Sequence, residues 1–153
     1  LDNELKKLKL LISEDVIITE EHIEKHIGIS KKFNSFELQK AIGLGMFSKA
    51  FQIIQYLNIN TKENPLILTL GNLHSYFQKL LLIKGVGSGH KTLGINPFFL
   101  NEYKAAAKRF NMRQITLAMD YVMEADFKSK GINSTSLTSK EILEELLLKL
   151  FNL

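Results

Sequence analysis

The stretch Asn64–Gly85, NPLILTLGNLHSYFQKLLLIKG, limits what this chain can fold into more than any other window. Leu66, Leu70, Leu73, Phe77 and Leu80 recur at steps of four and three, which places them on one stripe of an α-helix. Ile67, Tyr76, Leu81 and Ile83 widen that stripe, while Asn72, Ser75 and Lys79 share another side. The pattern predicts a helix with neighbours on several sides and one part open to water. Asn64 suits an N-cap, Pro65 the first helical position, and Gly85 a left-handed residue closing the far end. Asn72, His74, Ser75, Gln78 and Lys79 fall mid-segment, where a bilayer core would penalise them, so no membrane span is expected.

The remaining segments read as helices that cover this one. Leu5, Leu8 and Ile12 fall on one side of a first helix, and Thr19 caps a second running to Ile27. Asn34 or Ser35 starts a third, Phe36–Ile42, and Gly43 and Gly45 bracket a corner before a fourth, Met46–Asn58, with Phe47, Ala50, Phe51, Ile54 and Leu57 predicted inward. The polar run NINTKEN at 58–64 marks the expected boundary between a bundle at 1–60 and a second unit at 61–153. Beyond it, Asn96 and Pro97 open a helix with Phe99, Tyr103, Ala106 and Phe110 on its inner row. Asn111 caps a helix from Met112 to about Lys130, with Met112, Ile115, Met119 and Val122 inward and Gly131 as its stop. Thr138 and Glu141 form a capping box for the last helix, whose broad apolar face carries Ile142, Leu143, Leu146, Leu147, Leu150 and Phe151. No stretch alternates with period two long enough for a strand, so an all-α fold is predicted.

Charge and cysteine content narrow the chemistry. Residues 1–60 carry eight lysines and eight acids, whereas residues 61–153 carry ten lysines, two arginines and eight acids, so the whole excess of +4 lies in the second part. That asymmetry permits an anionic partner there. Lys104, Lys108, Arg109 and Arg113, with Lys128 and Lys130 at the end of the following helix, are the candidate DNA-contacting residues, able to hold a phosphate backbone without reading sequence. The chain contains no cysteine, which excludes disulfides and thiolate metal sites and fits a reducing, cytoplasmic compartment.

Nothing in the text assembles a reaction centre. GVGSGHKT at 85–92 approaches a phosphate-binding loop, but His90 separates Gly89 from Lys91 and no strand precedes it. His22 and His26 lie four apart and supply at most half a zinc site. Asp126 could act as an acid, yet Lys130 stands four residues on as its ion-pair partner. No catalytic residue, metal or cofactor is therefore expected. Leu1 already lies inside an apolar-periodic run, so the chain reads as a piece of something longer.

The segments NPLILTLGNLHSYFQKLLL, GINPFFLNEYKAAAKRF and EADFKSKGIN, in that order and preceded by NSFELQKAIG and FSKAFQIIQYL, resemble the C-terminal part of the delta subunit of the bacterial DNA polymerase III clamp loader, in its Bacteroidetes-like form. The resemblance covers essentially the whole chain, and no single motif in it is strong alone. It implies that 1–60 is a small AAA+ lid and 61–153 a helical collar that packs beside the collars of other loader subunits. It also implies that a preceding domain, absent here, meets the sliding clamp, and that the assembled complex acts on primed DNA without ATP hydrolysis by this subunit. Both arginines, Arg109 and Arg113, lie outside the lid, so the lid offers no arginine to a nucleotide phosphate. Leu143, Leu147, Leu150 and Phe151 are the candidate subunit interface. The rival reading is a helix-turn-helix DNA-binding regulator built on Lys91–Arg109, although Pro97, Phe98 and Phe99 occupy positions where a recognition helix needs polar side chains.

Overall fold

Asn34 sets the first described helix: its side-chain oxygen accepts from the backbone N–H groups of Phe36 and Glu37, satisfying two donors that the helix start leaves open. The computed structural model describes residues 33–86, 94–132 and 137–153. Within them the helices are α1 (Ser35–Gly43), α2 (Phe47–Ile59), α3 (Leu66–Val86), α4 (Leu100–Arg109), α5 (Met112–Ser129) and α6 (Ser139–Phe151), with a 3₁₀ turn at Pro97–Phe99 leading into α4. No strand occurs among the described residues. The helices expected at 1–12 and 19–27 lie outside them, as do His22, His26 and most of the glycine loop.

The 64–85 window holds the central place its pattern implies. α3 packs against α5, α4 and α1, while α6 joins α5 to α2 and closes the circuit. Leu70, Leu73, Phe77 and Leu80 are buried, and Leu66 packs at the edge of the same core. Phe77, wholly enclosed, meets the Phe110 ring edge-on at 6.1 Å, a favoured aromatic arrangement. Burying a side chain of that size contributes roughly 1.5–3 kcal/mol. Ile67, expected to widen the stripe, is instead 56 % exposed. Gly85 does not close the helix: α3 runs through it to Val86, and its φ is not positive.

Both of the later caps match their sequence signals. The Asn111 side chain accepts from the Gln114 backbone, Gln114 reciprocates, and Thr138 and Glu141 make the same exchange at the start of α6. Gly131, with φ of 76°, takes the left-handed turn that ends α5. The inner row of α2 differs from expectation. Ala50, Ile53, Ile54 and Leu57 are buried, whereas Phe47 and Phe51 are each 40 % exposed. The helix is rotated so that β-branched Ile53 faces the core and the two rings stack on each other at its rim, 6.1 Å apart. Met112 is likewise exposed, and Ala118 and Ala125 take up the face of α5 pressed against its neighbours. Small residues there let helices approach closely. Residues on both sides of 58–64 belong to one hydrophobic cluster, with Leu38, Ile53 and Leu57 joined to Phe77, Ile115 and Leu146.

Candidate functional site

The six basic residues singled out in the sequence divide into engaged and open side chains. Arg109, in the last turn of α4, donates from Nη1 to the Ile42 carbonyl at 2.8 Å, and its guanidinium lies over the rings of Phe110 and Phe151 at 5.0 and 5.8 Å. It ties the end of α1 to α4 and α6, an architectural task, while the residue itself stays exposed. Its planar fork suits both tasks at once, a hydrogen bond in the plane and stacking on the faces.

Lys128 is also engaged. Its Nζ sits 2.8 Å from Glu124 and 2.6 Å from Glu145, and Lys149 lies 2.8 Å from both of the same carboxylates. Two lysines and two glutamates thus alternate in a closed box that fastens α5 to α6. Hydrogen bonds from Lys128, then from Lys149, hold both glutamates below the usual carboxylate range. Hydrogen bonding to Glu124 and then Glu145 raises Lys128. Burial pulls the Lys149 ammonium down, but its bonds to the two glutamates outweigh that and leave it raised. Lys130 pairs with Asp126 at 2.5 Å, the i,i+4 partnership the sequence indicated, and Asp126 is thereby occupied.

Lys104, Lys108 and Arg113 remain. None has a hydrogen-bond or ion-pair partner among the described residues, and they lie on α4 and at the start of α5. Lys108 and Arg113 are exposed and Lys104 is half-buried.

The candidate subunit interface is corrected by burial. Leu143, Leu147 and Leu150 are 3, 2 and 1 % exposed, packed in the chain's own core, and Phe151 is half-buried with the edge of its ring against Phe47 at 5.1 Å. A face already covered by α5 and α2 offers nothing to a neighbour. The large apolar side chains left open are elsewhere, among them Phe36 on α1, Ile59 at the end of α2, Ile67 and Leu68 on α3, Phe98 in the 3₁₀ turn, and Leu148 on α6.

Two depressions went unread in the sequence because they form between segments distant along it. One, a cavity of about 200 Å³, lies between α1, α3, the 3₁₀ turn and α4. The other, a wider groove of about 570 Å³, runs between α3 and α5 above Gly71, with Ile67, Met119 and Met123 along it. Among the described residues no group of three or more His, Asp or Glu is placed to hold a metal ion, and no helix is long and apolar enough to cross a membrane.

No protein-family model matches the chain, and no curated protein and no solved structure matches it.

Proposed function

We propose that the chain is an assembly module of a replication clamp loader, the lid and collar of a delta-like subunit, which acts by packing against other subunits and carries no reaction centre. The observation that supports this reading is the ordered set of segments from NSFELQKAIG to EADFKSKGIN, whose resemblance to that family spans nearly the whole chain. An all-helical fold with large apolar side chains open on α3 and α6 is compatible with such a role. In this reading the interface shifts from Leu143, Leu147 and Leu150 to Ile67, Leu68 and Leu148. DNA contact rests on Lys104, Lys108 and Arg113, with the phosphate backbone as target and no base readout.

Co-purification with the other loader subunits tests the proposal. Retention of the wild-type chain, and its loss in an Ile67→Asp, Leu68→Asp double variant that stays helical, is the expected result; no retention of the wild type sinks the reading. Pure protein is expected to show no ATP turnover. Binding to primed DNA is expected to be weak and to fall with salt, and reversal of Lys104, Lys108 and Arg113 to glutamate should abolish it. Tight binding to one short duplex sequence would instead favour a sequence-reading regulator. Such a regulator needs polar side chains at the start of its recognition helix, a place filled here by the 3₁₀ turn Pro97–Phe99.

A further inference from the structure

The cavity between α1, α3, the 3₁₀ turn and α4 has walls of a consistent kind. Phe36 on α1, Phe99 in the turn, and Tyr76 and Tyr103 line it, with Leu44 and Ile95 completing the apolar surface. Tyr76 and Tyr103 are themselves in ring contact, centroids 5.1 Å apart, so the inner wall is fixed by packing. Burial raises the pKa of both phenols, which therefore stay neutral at physiological pH. Phe36 and Phe99 are 67 and 40 % exposed, leaving aromatic surface uncovered at the mouth.

The charged groups at this cavity are unequal. Lys40 is bound to Glu102 at 2.6 Å, which raises its pKa, and Glu37 is bound to Lys49. Lys79, half-buried on α3, also lines the cavity and has no hydrogen-bond or ion-pair partner among the described residues. One ammonium beside aromatic walls, with the described carboxylates already taken, calls for one negative charge. A carboxylate meets it with a charge-assisted hydrogen bond, stronger than a neutral one.

Size selects the rest of the ligand. A cavity of about 150 Å³ holds a benzene molecule, so about 200 Å³ admits one six-membered ring bearing a small substituent. Nucleotides and other ligands that fill pockets of roughly 300 Å³ and more are too large. We infer that this cavity binds a single-ring monocarboxylate, its ring between Phe36 and Phe99 and its carboxylate on Lys79. The inference goes beyond the assembly role and does not depend on it.

Titration of the full 153-residue chain with benzoate, followed by amide NMR shifts, tests this, with benzamide as the neutral isostere and inorganic phosphate as the anion without a ring. Saturable shifts confined to α1, the second half of α3 and residues 94–103 are expected, with benzoate bound at least about tenfold more tightly than benzamide. Lys79→Met should remove that preference and leave benzamide binding unchanged, while Phe99→Ala should weaken both. Equal binding of benzoate and benzamide overturns the inference. So do phosphate shifts in the same residues, shifts scattered over surface lysines, benzoate binding untouched by Lys79→Met, or no saturable shift at millimolar concentration. Lys79 is a partly exposed helix residue whose replacement by Met keeps helix propensity, and the amide spectrum itself reports whether each variant is folded.

Discussion

The corner between α1 and α2 and the face between α3 and α5 each carry a glycine in a helix, and their surroundings are opposite. At Gly43 a Cβ would stand 2.0 Å from the Tyr76 hydroxyl oxygen and 2.9 Å from the Ala106 Cβ, so only glycine lets α1, α3 and α4 meet there. Two residues on, Gly45 turns the chain with φ of 75° under the Arg109 guanidinium, which lies 2.9 Å from where its Cβ would be. Among the described residues nothing comes within 4 Å of the Cβ position at Gly71, in the second turn of a 21-residue helix. Glycine inside a helix costs roughly 0.5–1 kcal/mol relative to alanine. The first glycine is compelled by its neighbours; the second weakens α3 with no packing gained among the described residues.

Gly43→Ala presses hardest on that contrast and should destabilise the protein by about 2–3 kcal/mol, through overpacking. Adding Tyr76→Phe should restore part of the loss, because the hydroxyl is the nearest obstacle. An unchanged urea midpoint for the single variant would mean the corner is not tight. Arg109→Met should follow at about 1–2 kcal/mol, from the lost bond to the Ile42 carbonyl and the stacking on Phe151. Gly71→Ala should do the reverse and stabilise by about 0.5–1 kcal/mol, read as a higher melting temperature. A loss there would show that another backbone already approaches α3 at that point.

The smallest effect belongs to the ion-pair box between α5 and α6. Glu124 and Glu145 titrate lower in the folded state than unfolded, so their stabilisation is present above the ordinary carboxylate pKa of 4.5 and is lost as pH falls through the lowered values. Lys128 and Lys149 behave oppositely: their share is full below 10.5 and fades as pH rises through the raised values. Each partly exposed pair contributes less than about 1 kcal/mol. Melting temperatures from pH 6 down to pH 3 should therefore fall less steeply in Lys149→Met than in the parent. Identical slopes would mean the box contributes nothing to the folded state.

Periodicity and caps carried much of the fold. Asn34, Asn111 and the Thr138–Glu141 box each stand where a helix begins, because capping is decided within a few neighbouring residues. Rotation of a helix about its own axis is another matter. α2 has apolar residues at Phe47, Phe51, Ile53 and Ile54, enough for two overlapping stripes, and only the position of α6 and α1 selects the one containing Ile53. The same limit governed the last helix: a broad leucine face is equally consistent with a subunit interface and with the chain's own core. Arg109 was legible as a cation but not as a clamp, since Ile42 lies 67 residues away.

The edge contact of Phe151 with Phe47 and the bond from Gln55 to Glu144 join α2 to the final helix across 89 residues or more. The packing of α2 is therefore completed by a helix whose ring and hydrogen-bond contacts with it span 89 residues or more. Closure of such a fold depends on contacts far apart in sequence, which slows it and prolongs the interval in which apolar surface stays open to aggregation or to a chaperone.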